Sequence, residues 1–351
     1  RGERLLPSQV DAVAQFEEVR GGFLPVGVGF GKSGIALMTS QIACDRGWAR
    51  KILLLVPVHL VPGLFKRHIP EWRRRVNLSL TFHSLTGKSK AQRKVIAESG
   101  AAGVYVMPYS LMSQADAVDI LRAIDADMIV SDEGHRLKNP RSACTKRLME
   151  VMEEQREKGK SPIFVTMSGS FMSKSIMEYH HLIVAALGHG APLPLRASTA
   201  YTWGLVVDSG ASPTHGLVAG SMGKLIDWAH KNSPPEQQKL FSSRVGVENA
   251  RNAYGKRLTT APGVVATGEE RPSASLAIIN REVPAHGKEL ASLIFKVQET
   301  YTTPQGEPID HAIHTYKWLS ELSFGFYNSL VWPTAEQHAH NRKISVAEAE
   351  D

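Results

Sequence analysis

Phe23-Leu24-Pro25-Val26-Gly27-Val28-Gly29-Phe30-Gly31-Lys32-Ser33 is the stretch whose reading sets the fold class. Phe23 to Val28 is a short apolar run that ends in glycines. Ser33 to Asp45 then carries Ile35, Met38 and Ile42 at helical spacing, with Gly47 as a C-terminal stop. A strand that breaks on glycines and re-forms as a helix is the setting of a phosphate-binding loop. Gly27, Gly29 and Gly31 let backbone N–H groups converge on phosphate oxygens. In that reading Lys32 reaches the β- and γ-phosphates and the Ser33 hydroxyl holds Mg²⁺. The pattern G-x-x-x-x-G-K-[ST] departs only at its first position, Val26. The competing reading is a chance glycine turn.

Outward from this loop the first half of the chain alternates between strands and helices. Ile52 to Val58 is a continuous apolar run, as in a strand buried on both faces. Gly103–Met107, Met128–Val130 and Ile163–Met167 read as further strands, and Ala115–Ile124 and Ser142–Arg156 as helices. This alternation predicts an α/β fold with a parallel, doubly wound sheet. After Gly188 the character changes. Residues 191–223 are rich in Gly, Pro, Ser and Thr and have no sustained period. Lys224–Asn232 and Gln237–Tyr254 read as helices, Thr259–Ser275 as a loop, and Leu276–Val283 as a strand. Gly287–Glu299 and Ile309–Leu330 read as helices, the latter with Tyr316, Trp318, Phe324, Phe326 and Tyr327 as core aromatics. The expected organisation is a lobe over 1–190, a loop-rich and mainly helical extension over 191–275, and a third segment over 276–351.

Composition narrows the function classes. At 351 residues, 42% hydrophobic and 21% charged, the chain can bury a sizeable core and is not wholesale disordered. Cys44 and Cys144 form no C-x-x-C, and no H-E-x-x-H is present, which excludes the common zinc signatures and a disulfide framework. No apolar run is long enough to span a bilayer, so no membrane partner is expected. The net charge is +7. Its distribution says more: nine basic residues and one acid, Glu71, lie between Phe65 and Lys94. A cluster of this kind, with Arg73, Arg74 and Arg75 at its centre, can neutralise phosphates along a nucleic acid, or it can be a solvated face.

Two further strand ends carry candidate chemistry. Met128-Ile129-Val130-Ser131-Asp132-Glu133-Gly134-His135 places adjacent carboxylates after an apolar strand, which is costly unless they serve a cation or a proton transfer. Asp132 fits a Mg²⁺ ligand through water, Glu133 a base that orients an attacking water, and His135 a link to a neighbouring segment. Met167-Ser168-Gly169-Ser170 follows another apolar strand, and its small hydroxyl residues suit a relay that senses the γ-phosphate region. A solvated turn is the competing reading of each.

These three strand ends, in this order, resemble the first motor lobe of superfamily-2 helicases and translocases, closest to the Swi/Snf-like branch in its divergent phage form. Asp132-Glu133-Gly134-His135-Arg136-Leu137-Lys138-Asn139 is similar to that branch's motif II, a DEAH-like box with a Lys-Asn extension. Gly29 to Ser33 resembles motif I, and Ser168-Gly169-Ser170 motif III. Leu5-Leu6-Pro7-Ser8-Gln9 resembles an upstream segment whose glutamine contacts adenine, which implies that role for Gln9. Val56-Pro57 through Trp72 resembles motif Ia, with His68 where the family prefers Glu. Tyr109-Ser110 resembles motif Ib, which implies nucleic-acid contact by Tyr109. The resemblance covers residues 1–190. It implies a RecA-like P-loop fold, ATP with Mg²⁺, catalysis by Lys32, Asp132, Glu133 and His135, coupling through Ser168, Gly169 and Ser170, and movement along nucleic acid, DNA before RNA.

The family's second lobe supplies a Gln-x-x-Gly-Arg-x-x-Arg segment, and no glycine in this chain is followed by Arg. The expectation is therefore an ATP hydrolase represented by its N-terminal ATP-binding lobe, inactive on its own, whose partner is the missing second motor lobe, placed in the cytoplasm (the host's, if phage-encoded). The alternatives are a phage packaging ATPase and a nucleotide- or DNA-binding adaptor that does not hydrolyse ATP. Trp72 reads as a core aromatic.

Overall fold

A computed structural model describes residues 5–170, 175–208, 220–241, 246–267, 287–306, 308–309 and 312–323. The chain divides into two compact units, Arg1–Ser275 and Leu276–Asp351. The expected strand Leu276–Val283 and the aromatics Phe324, Phe326 and Tyr327 lie outside the described residues. Among the described residues of the second unit are two helices, Lys288–Thr300 and Ala312–Ser323. No helix among the described residues is long and apolar enough to cross a membrane.

The first unit is built on one sheet of six strands: β1 (Gly22–Leu24), β2 (Lys51–Val56), β3 (Phe82–Ser84), β4 (Gly103–Pro108), β5 (Met128–Asp132) and β6 (Ile163–Met167). Their order is β1-β6-β5-β2-β4-β3, and every pairing is parallel. This is the α/β, RecA-like arrangement expected. Alternate residues of the central strands feed two cores. Leu53, Leu55, Tyr105, Met107, Ile129 and Phe164 point to one face, and Ile52, Leu54, Val56, Val104, Met128 and Val165 to the other. Burial on both faces explains why these strands are continuous apolar runs.

One face is covered by α1 (Pro7–Val19) and α2 (Lys32–Asp45), with α3 (Ile69–Arg75) joining the same core through Trp72. Trp72 is 5% exposed, and a Cβ on Gly34 of α2 would come within 2.1 Å of its ring. Position 34 is glycine because the indole occupies the side-chain space. The core reading of Trp72 is therefore the right one.

The opposite face is covered by α4 (Lys90–Glu98), α5 (Ala117–Ile124), α6 (Ala143–Glu157) and α7 (His180–Leu187). Ser142 caps α6 by accepting from the Thr145 amide at 3.3 Å. The same core continues into Trp203, Leu225, Ile226, Tyr254 and Leu258, so residue 190 is not a break in packing. Residues 197–207, expected to be loop, form a helix (α8) whose Ala200, Trp203 and Val206 are buried. Their burial overrides the weak local pattern. The helix expected over Gln237–Tyr254 is instead a short turn at Pro235–Gln238 and a helix over Val247–Thr260 (α10, after α9 at Gly220–Lys231).

Residues 263–267 return to the sheet. The Phe23 amide donates to the Gly263 carbonyl at 2.9 Å, and the Thr267 amide to the Pro25 carbonyl at 3.2 Å. Val264 bridges Phe23 in parallel. This segment flanks the otherwise open edge of β1.

Candidate nucleotide site

The C-terminal ends of β1, β5 and β6 lie side by side, the position at which open parallel sheets take their ligands. The glycine loop leaves β1 there. Gly29 and Gly31 have φ of 88° and 75°, which only glycine adopts at little cost. Gly31 also abuts Gln9, whose Nε2 would lie 2.2 Å from a Cβ at that position. Gln9 is buried; its Nε2 donates to the Gly31 carbonyl at 3.2 Å, and its Oε1 accepts from the Leu6 amide at 2.9 Å. The glutamine is thus built into the back of the loop.

Lys32, the first residue of α2, is 9% exposed. Its Nζ pairs with Glu133 Oε1 at 3.0 Å and donates to the Gly27 carbonyl at 3.4 Å. Glu133 sits at the β5 end with φ of 55°, a left-handed conformation that is costly for a side chain of this size. That turn aims its carboxylate back at the loop. The second oxygen, Oε2, lies 3.2 Å from His135 Nδ1 and accepts from Ser168 Oγ at 3.5 Å. His135 Nδ1 and Ser168 Oγ are 2.9 Å apart, and the Ser170 amide donates to Ser168 Oγ at 3.2 Å. Lys32, Glu133, His135 and Ser168 therefore form one polar chain from the glycine loop to the β6 turn. Gly169 packs on that loop: a Cβ there would lie 3.2 Å from Gly27 Cα.

Asp132 is 6% exposed, and its Oδ1 accepts from the Glu133 amide at 3.0 Å. Burial, with Glu133 adding to it, pushes its carboxyl up to about 6, against the opposing pull of Lys32. Asp132 and Ser33 line one cavity of about 30 Å³ together with His68, Leu54, Val56 and Leu60. A hydroxyl and a carboxylate on one small cavity beside a lysine are hard oxygen donors of the kind Mg²⁺ takes. Among the described residues no three His, Cys, Asp or Glu side chains converge as a metal cluster. The residues fit an ion that draws most of its ligands from water and phosphate. His68, which had appeared only as a departure from the family pattern, turns out to face this cavity. Its pKa is lowered, first by burial and then by Arg67.

Two expectations need correction. Tyr109 does not face solvent. It is 5% exposed, and its hydroxyl donates to the Asp132 carbonyl at 2.8 Å. It braces the strand end that carries the carboxylates and is not a surface contact for nucleic acid. The arginine triplet is not a uniform basic face either. Arg73 donates to the Leu80 carbonyl at 3.1 Å, and Arg75 pairs with Glu71 at 2.7 Å and stacks over Trp72. All three arginines are exposed on this helix, Arg73 and Arg75 with these partners within the fold. Elsewhere in the basic stretch, Arg93 pairs with Asp116 and Lys94 with Glu98. Thr267 was missed: its hydroxyl oxygen accepts from the Gly27 amide at 2.9 Å. A separation of 240 positions along the chain leaves no local signal of the contact.

Residues 12–158 match the family model of the SNF2-related domain. No curated protein matches the chain. Solved structures similar to it include the Sulfolobus solfataricus SWI2/SNF2 ATPase core in complex with dsDNA, at 16% identity and a TM-score of 0.40. That alignment covers 53% of this chain and 36% of that one. Another is the UvsW helicase from bacteriophage T4, at 18% identity and a TM-score of 0.38, covering 53% of this chain and 59% of that one. The chain thus spans less than two thirds of either structure.

Proposed function

We propose that the protein, whose residues 12–158 match the family model of the SNF2-related domain, is the ATP-binding lobe of a motor that moves along nucleic acid, double-stranded DNA in the first instance. The observation that carries this reading is the Lys32–Glu133 ion pair at the mouth of the glycine loop. It brings the loop's cation and the candidate base into direct contact at the loop's mouth, where an arriving γ-phosphate would have to part them.

The residues divide the work as follows. The loop Gly27–Gly31 and the N-terminus of α2 bind phosphate through backbone N–H groups and the helix dipole. Lys32 leaves Glu133 for the phosphates when nucleotide arrives. Ser33 and Asp132 would hold Mg²⁺, which when bound offsets charge on the phosphate oxygens. Glu133, freed from Lys32, orients the attacking water and takes its proton. His135 and Ser168, both within reach of Glu133 Oε2, register which partner that carboxylate has. They pass the change to the β6 turn.

The test is calorimetric. Wild-type protein should bind Mg·ATP, and Lys32→Ala should weaken binding about 10- to 100-fold, the loss of one or two charge-assisted contacts. Equal affinity in the two proteins would remove the loop from nucleotide binding.

Nucleic-acid binding has its own signature. Affinity for duplex DNA should fall linearly in log–log form with salt. Arg74→Ala should reduce that slope by about one, as expected for one lost phosphate contact. Arg73→Ala and Arg75→Ala should change the slope less and lower the melting temperature slightly, because those exposed side chains already hold partners on the protein. An unchanged slope in Arg74→Ala would return the helix to the role of a solvated face.

A further inference from the structure

We propose that Thr267 is a positioning residue for the nucleotide loop, and that residues 263–267 form a strap holding the loop's root in place. The inference rests on the reading of Gly27–Ser33 as a phosphate-binding loop, and adds to it a control element some 240 residues away.

Three contacts carry it. The strap is laid along β1 by backbone hydrogen bonds at both ends, Phe23 to Gly263 at 2.9 Å and Thr267 to Pro25 at 3.2 Å. At its end, Thr267 Oγ1 accepts from the Gly27 amide at 2.9 Å. Gly169 of the β6 turn packs on the same glycine so closely that a Cβ there would meet Gly27 Cα at 3.2 Å and the Val26 carbonyl at 3.4 Å. Gly27 is thus touched both by the turn that holds Ser168 and by a strap that precedes the second unit, which begins at Leu276. Beyond this grip the loop stands out into solvent, with Val28 84% exposed.

An N–H at the root of a phosphate loop is an expensive group to leave without a partner. Thr267 supplies that partner and fixes the direction in which the loop leaves β1. The following N–H groups then point at the phosphates before ligand arrives, which lowers the ordering cost of binding. Because the strap leads along the chain toward the second unit, displacing it loosens the loop. Nucleotide affinity becomes sensitive to whatever shifts residues 263–267.

Thr267→Val keeps shape and removes the hydroxyl; Thr267→Ser keeps the hydroxyl. In the full chain, Thr267→Val should bind Mg·ATP about three- to tenfold more weakly, the worth of one hydrogen bond, and Thr267→Ser should bind as wild type. Without nucleotide, hydrogen exchange in the peptide spanning residues 25–31 should quicken in Thr267→Val and recover in Thr267→Ser. A merely structural loss would lower thermal stability without this localised, serine-rescued change. If Thr267→Val matches wild type in both exchange and affinity, the strap does not position the loop. If Lys32→Ala still loses binding at that point, the phosphate-loop reading stands alone. If wild type itself binds no Mg·ATP, both the loop reading and the strap's proposed role fall together.

Discussion

In the two-lobed motor proposed for this lobe, Glu133→Gln should slow phosphate release by about 10²–10⁴, the usual worth of a positioned general base, while nucleotide binds more tightly than to wild type. The two effects have one cause. In the nucleotide-free protein Glu133 is the partner of Lys32, at 3.0 Å. ATP must break that pair and then bring phosphate charge near the carboxylate. Glutamine keeps the size and the hydrogen-bonding oxygen but releases the lysine and removes the like-charge repulsion. The Kd for Mg·ATP should therefore tighten by up to about tenfold. Single-turnover phosphate release with DNA present, alongside calorimetry, reads both arms. Release at the wild-type rate would show that the water is oriented by another group. An affinity weaker than wild type would show that the ion pair does not compete with nucleotide.

Asp132→Asn should stabilise the nucleotide-free protein and abolish its stabilisation by Mg·ATP. The sign follows from proton linkage. The Asp132 carboxyl is raised from 3.8 to about 6 in the folded chain, first by burial and then by Glu133. The native state therefore holds this proton more tightly than the unfolded state. Its contribution to stability is fully present below about pH 4, falls away as pH rises to about 6, and stays lost above that. Two pKa units correspond to about 2–3 kcal/mol of penalty at neutral pH. Asparagine is uncharged at every pH and can still accept from the Glu133 amide. The variant should melt roughly 5 °C higher at pH 7.5, with the difference shrinking toward pH 4. Added Mg·ATP should raise the melting temperature of wild type but not of the variant. A variant that melts lower at pH 7.5, or gains as much from Mg·ATP, would show that Asp132 is neither strained by its burial nor needed for the ion.

The signals that survived folding were the dense local ones. The loop from Gly27 to Ser33 and the Asp132-Glu133 pair could be recognised because glycines and adjacent carboxylates after apolar strands have few other uses. β2, β5 and β6 stood out because burial on both faces gives each an uninterrupted apolar run, Ile52–Val56, Met128–Val130 and Ile163–Val165. The rest was hidden for identifiable reasons. β3 is three residues of mixed polarity at a sheet edge, too short to show a period. α8 lies in a stretch rich in Gly, Ser and Thr and is held by what Trp203 and Val206 pack against, not by propensity. Tyr109 matched a motif by type, but the side chain turns inward to the Asp132 carbonyl. Thr267 touches the glycine loop only because a distant segment returns to β1.

The indole of Trp72 against Gly34 gives the lobe a stiff mechanical element. With no side chain at position 34 and a ring in its place, α3 and α2 have no compressible layer at this contact. A load applied to the exposed arginine side of α3 reaches the helix that begins at Lys32 without passing through a hinge. The travel needed to affect the phosphate end is correspondingly small, a fraction of an ångström at a close-packed contact. A device built this way conveys force and wastes little of it as local deformation. Its output is set by where the lever is pushed, so the position of a ligand on α3 should matter more than how strongly that ligand is held.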